Sequence, residues 1–291
     1  KETISDVPGT SWSSGTNLNQ ARSFNNASGD LTSAITFGGS PAPTQAYSEQ
    51  WDGSSWTEVG DLNEGRVAGA GGGASGTDAI IAGGYELPNI GNSLKTETWN
   101  GSSWTEVNTL NAQKYTAGSG IPVSTSGIAF GGNPVVATAE VWDGTNWTEV
   151  GDLNNARMYL GGFGNATSAI AANGVAPPHT QNKVEKWDGT SWTEVAEMNT
   201  AKGEMLQGHG PTNESGIIAG GSPNGSSQIT NTEIWNGSSW SETNDLATAR
   251  RMGGQIGPTS SGMYIGGQTP SNVVTVEHWE SPLANKTITA S

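Results

Sequence analysis

The 291-residue chain contains no cysteine. That excludes a disulfide scaffold, a cysteine nucleophile and any thiolate metal site, and it leaves the redox compartment open. Positive charge is scarce: 12 Lys and Arg stand against 27 Asp and Glu, a formal charge of −15. Such a field repels phosphate backbones and anionic lipid, so neither nucleic acid nor membrane insertion is expected. No apolar run approaches membrane-spanning length and no basic-then-apolar leader is seen; a chain opening on Lys1 reads as a processed form or a piece of something longer. Phe and Tyr number only four and five, and there are three histidines. Helical periodicity is missing, and 43 glycines work against a helix anywhere.

Tryptophan, by contrast, is plentiful and regular. Pairs five residues apart occur at Trp51/Trp56, Trp99/Trp104, Trp142/Trp147, Trp187/Trp192 and Trp235/Trp240, while Trp279 starts a sixth pair with no partner downstream. Ten residues separate each second Trp from a cation: Arg66, Lys114, Arg157, Lys202 and Arg250. The same interval runs from Trp12 to Arg22, which assigns Trp12 to the broken sixth unit.

Each unit of 43 to 48 residues holds four strand-like stretches. A small-residue run follows the cation, a second run ends in a glycine doublet such as Gly38-Gly39, a third ends at the first Trp, and a fourth starts at the second. Asp-Gly or Asn-Gly between the third and fourth is a hairpin signal, expected to place both residues at positive φ. This is the arithmetic of an all-β, six-bladed β-propeller with four antiparallel strands per blade. The expected blades are 18–60, 61–108, 109–151, 152–196, 197–244, and 245–281 completed by 8–17, so that an N-terminal outer strand closes the single domain. Glycine-rich strands suit the crowded axis, and tryptophans the widening wedge outside.

The glycine doublet, the following Glu-x-Trp and the second Trp resemble the kelch repeat over nearly the whole chain. The variant Trp-Asp-Gly-Ser-Ser-Trp-Thr-Glu-Val with Asp-Leu-Asn-x-Ala-Arg is similar to kelch-like proteins of marine bacteriophages, as is the ending Lys286-Thr287-Ile288-Thr289. That resemblance implies a virion surface or extracellular location, with other virion or surface proteins and host glycans as partners. Asn173-Gly174 departs from the doublet pattern.

Groups that could carry chemistry mostly recur with the repeat. The six cations are read as structural, with partners among Glu49, Glu97, Glu140, Glu185, Glu233 and Glu277. Glu58, Glu106, Glu149, Glu194 and Glu242 follow the second Trp and read as a solvated face rather than as hydrolytic carboxylate pairs. His179, His209 and His278 fall at different strand positions, against a shared metal; His209 is expected on an inner strand and could face the channel. No Gly-x-Ser-x-Gly elbow has a plausible histidine and acid beside it. Galactose oxidase chemistry is excluded by the lack of cysteine, whereas kelch-type sialic acid mutarotases need few special residues. Chance explains most sequons, Asn26, Asn100, Asn165, Asn213 and Asn236 among them. No catalytic residue, metal or cofactor is expected.

Length variation is concentrated after the doublets. From there to the next first Trp the intervals are 12, 15, 10, 13, 14 and 12 residues, and every such loop contains proline. Variable, proline-stiffened loops on a rigid scaffold are where recognition resides. The expected binding face is Tyr85, Leu87, Asn89, Ile90, Pro134, Pro177, His179, Pro223, Asn224 and Pro270. A non-enzymatic display or adhesion module leads; the alternatives are a carbohydrate-active propeller working near His209, Gln255 and the inner cations, or a cellular kelch interaction module.

Overall fold

A computed structural model describes residues 11–41, 46–86 and 91–281. Among these residues the chain is all-β, with no α-helix, and its sheets are arranged as in a propeller. Six antiparallel sheets have four strands each. Sheet one comprises Asn26–Gly29, Ala34–Phe37, Ser48–Trp51 and Trp56–Val59, and sheets two to five repeat that order. In the sixth, Gly254–Ile256, Ser261–Ile265 and Val276–Glu280 are joined by Ser11–Ser14, with Trp12 opposite Trp279.

The first strands lie inside and contact their neighbours: Asn26–Gly29 touches both Ala70–Ser75 of sheet two and Gly254–Ile256 of sheet six. Small residues are required there because backbones nearly meet. A Cβ on Gly72 would sit 2.2 Å from the Ile121 carbonyl oxygen. Hydrophobic packets fill the wedges between sheets, as where Ile35 and Phe37 of sheet one meet Ile81, Trp99 and Trp104 of sheet two. All twelve tryptophans are buried, and paired rings such as Trp51 and Trp56 stand 5.4 Å apart, tilted by 39°. Each removes roughly 150–250 Å² of surface from water, which offsets the shortage of Phe and Tyr.

The hairpins between paired tryptophans differ from the expected turn. Only the glycine takes positive φ, as at Gly53 (95°), while Asp52 folds its carboxylate over the turn. Asp52 Oδ1 accepts from the N–H groups of Ser54 and Ser55 at 2.8 and 2.9 Å, and those bonds hold its pKa down at about 2. A side-chain cap thus replaces a second left-handed residue. At the doublets both residues are left-handed, and Asn173 (φ 56°) stands in for glycine because Asn tolerates that region.

A feature without a sequence signal follows each cation by two residues. Phe24, Ala68, Thr116, Tyr159, Glu204 and Met252 all have φ between 54° and 60°. Their backbones form a belt across sheets: Ala68 N–H donates to Phe24 O (2.9 Å), Thr116 to Ala68 (2.7 Å) and Tyr159 to Thr116 (2.8 Å). Met252 donates likewise to Glu204 (2.8 Å), and Phe24 to Met252 (2.7 Å). The left-handed bend aims each N–H at the neighbouring sheet instead of its own.

Outer tryptophans also reach sideways. Trp104, Trp147 and Trp12 donate Nε1–H to Ser48, Thr96 and Thr232, the residues three before the first Trp of the preceding sheet. In the sheets preceding Trp192 and Trp240 that position is Ala139 or Val184, and these two indole nitrogens are buried without a partner. We expect Ala139→Ser and Val184→Thr each to stabilise the fold by about 1 kcal/mol, read as a raised urea midpoint at unchanged slope. No gain from either would show that the orphan indoles carry no cost.

Candidate functional site

Each of the four buried arginines is bonded on three sides. Arg22 Nη2 donates to Glu49 Oε1 at 2.7 Å, and its Nη1 to the carbonyls of Gly38 (3.3 Å) and Tyr47 (2.8 Å). Gly38 ends the second strand and Tyr47 precedes the third, so one guanidinium grips both roots of the loop between them. Arg157 and Arg250 repeat this, with Glu185 and Glu277. Arg66 does so with Glu97, and Lys114 reaches Glu140 at 3.2 Å. Lys202 departs from the expected pairing: Nζ donates to Asn231 O and Oδ1 at 3.0 and 2.9 Å rather than to Glu233. Burial pushes its pKa down to about 8.

The carboxylates are further satisfied from the preceding linker. Asn19 donates N–H and Nδ2–H to Glu49 Oε2 at 2.7 and 2.9 Å, and Nδ2–H also to Trp56 O at 2.9 Å. Asn63, Asn111, Asn154 and Asn199 repeat the arrangement. The Asp-Leu-Asn-x-Ala-Arg motif is therefore a strap from one sheet to the next, with Leu18, Leu62, Leu110 and Leu153 buried beneath it. The second acidic set, Glu58 to Glu242, is exposed on the outer strands.

At the end of the inner strands opposite the belt, a cavity of about 250 Å³ opens along the axis, lined by Ser28, Gly72, Ile121, Gly164 and Pro258 among others. Gln207 reaches across its floor. Its amide accepts from Ala27 N–H (3.0 Å) and donates to the carbonyls of Ala27 (3.0 Å) and Gly71 (2.8 Å). Gln255 binds both backbone groups of Ala219, at 2.9 and 3.1 Å. In sheet five the inner strand pairs only from His209 onward, so this amide replaces the missing neighbour.

His209 lies on that inner strand and borders the axial cavity, but its ring is buried against a neighbouring sheet. It packs 6.1 Å from Trp12, edge to face, and is 2% exposed. Neither ring nitrogen makes a well-formed hydrogen bond; burial pushes the pKa down to about 4, only partly offset by the Pro258 backbone. Gln255 and His209 thus border the axial cavity with their side chains buried, Gln255 bonded to Ala219, whereas none of the six cations lines it. Among the described residues no group of three or more His, Asp or Glu could hold a metal.

The loops after the doublets emerge on the opposite face, beside the left-handed belt. Short bridges tie each base to the residue after the cation, as in Ser23 with Ser40 and Tyr115 with Asn133. Tyr85 sits in a two-residue strand, Tyr85–Glu86, paired with both Arg66–Val67 and Gly91–Asn92. Leu87, Asn89 and Ile90 lie outside the described residues. Pro134, Pro177, His179, Asn224 and Pro270 are exposed, and Pro223 is half-buried. His179, Pro223 and Asn224 come together around a cavity of about 320 Å³, with Tyr159, Val175, Pro178, Thr180, Glu204 and Gly225. Pro134, Pro177 and Pro270 are not among its walls. Tyr115, Tyr159 and Glu204 were missed by sequence because they precede the inner strands, where only small residues drew notice.

Two measurements check these environments. A histidine neutral at pKa about 4 when folded contributes stability present above pH 6.5 and lost as pH falls toward 4. That window is worth about 3 kcal/mol, and His209→Gln should flatten it in urea melts across the same pH range. Arg157→Met strands buried Glu185 and should cost about 3–5 kcal/mol, whereas Lys202→Met, lacking a direct ion pair, should cost clearly less. Equal losses would show that the two cations do the same job.

Compared with known families and curated proteins, the chain matches no family model and no curated sequence.

Proposed function

We propose that the protein is a six-bladed propeller, closed where Ser11–Ser14 completes the sixth sheet, and that it serves as a non-enzymatic display or adhesion module. The observation that carries the reading is how the recurring charges are used. All six cations are at most 1% exposed and bonded inside the fold, so the groups most suggestive of chemistry are consumed in holding loop roots. What remains free to differ is the face carrying the loops after the doublets, and it differs in length while its roots stay constant. A rigid base with interchangeable loops favours recognition, since ordering entropy is spent before a partner arrives.

The repeat's similarity to phage kelch-like proteins supports placing this module on a virion surface or tail, against structural proteins or host glycans. A charge of −15 favours a solvent-facing part over one packed on nucleic acid. The expected result is that antibodies to the loop face label purified phage particles and that the isolated protein competes with particle adsorption to the host. Turnover of a sugar substrate, abolished by changes at residues lining the axial cavity such as Gln207, would overturn the reading in favour of an enzyme.

A further inference from the structure

Tyr85, Tyr115 and Tyr159 lie on the loop face, on elements of sheets two, three and four. Tyr85 and Tyr115 stand 5.5 Å apart, and Tyr159 lines a cavity together with Glu204 and His179. All three are half-buried. The fold does not ask for them. The residue after the cation is Ser23, Gly203 or Arg251 in other units, and the left-handed position holds Ala68 or Thr116 as readily as Tyr159. Phe24 and Met252 at the same position show that the belt tolerates bulk without dictating it, so a phenol there is not set by the backbone.

The cavity beside this arc supplies polar groups around Tyr159. Glu204 lies on one side, its carboxylate neutralised by Arg251, which also donates to Gly225 O at 2.7 Å. Exposed His179 and the hydroxyl of Thr180, which donates to Pro223 O at 2.7 Å, line the other part. An aromatic face with hydrogen-bonding groups at its rim matches a pyranose, which presents a C–H face and a rim of hydroxyls. About 320 Å³ lies at the small end of ligand sites, suited to one sugar unit with the chain continuing along the tyrosines. The local charges cancel while the protein's field is negative, which disfavours acidic sugars.

We infer that the cavity between Tyr159, Glu204, His179 and Thr180 is a subsite for a neutral saccharide, with Tyr115 and Tyr85 as a stacking platform for the units that follow. This rests on the loop face being a recognition surface. A glycan array followed by calorimetric titration of the whole chain tests it, using neutral, sialylated and sulfated oligosaccharides. Neutral glycans are expected to bind, about tenfold more weakly after Tyr159→Ala and about threefold more weakly after His179→Ala. Because His179 is exposed, its variant should keep the melting temperature; Tyr159→Phe should keep most of the binding, which guards against mere unfolding by Tyr159→Ala. Binding restricted to acidic glycans, or neutral binding unchanged in both alanine variants, overturns the site while leaving the face a recognition surface. Wild-type protein that binds neither glycans nor host or virion surface proteins overturns the broader reading too.

Discussion

The structure depends on a buried cation held between a carboxylate and two backbone carbonyls. A guanidinium without water is costly unless its charge is met, and Arg22 places Nη1 and Nη2 on Gly38, Tyr47 and Glu49, with only Nε left unpaired. In doing so it joins the end of the second strand to the start of the third. The carboxylate in turn gathers the strap before the inner strand through Asn19, so a single ion pair fixes strap, loop root and sheet. Repetition explains how a protein without disulfides and with few bulky residues inside its inner strands is held in register.

Function then follows from what that clamp leaves unconstrained. Loop roots at fixed distance allow the intervening segment to vary, and the left-handed belt beside them presents six side chains that the backbone geometry does not dictate. Small residues such as Ala68 satisfy the belt; Tyr159 and Glu204 add open surface and charge. The axis is closed by comparison. Gln207 and Gln255 place amides where peptide groups would otherwise pair, which ties sheet five to sheets one, two and six.

Much was legible before any coordinates. The ten-residue interval from Trp12 to Arg22 put the N-terminal strand beside Trp279, and the recurring Glu before each first Trp marked the partners of five cations. Periodicity reveals such features because the fold imposes them six times over. Lys202 escaped the pattern because Asn231 offers it both a backbone and a side-chain oxygen, whereas Lys114, with Thr138 at the equivalent position, still reaches Glu140. The cap made by Asp52 was missed because dipeptide signals report backbone preference and not side-chain bonds.

The sequence alone determined the repeating four-strand unit, the tryptophan wedges and the face on which length varies, since these are properties of spacing and residue size. Only the tertiary structure decided that His209 packs on Trp12, that Gln207 spans the axis, and that Tyr159, Glu204 and His179 share one cavity. Each is a singular residue from a different stretch of chain. Their meeting depends on how neighbouring sheets pack, and that geometry leaves no period in the sequence to read.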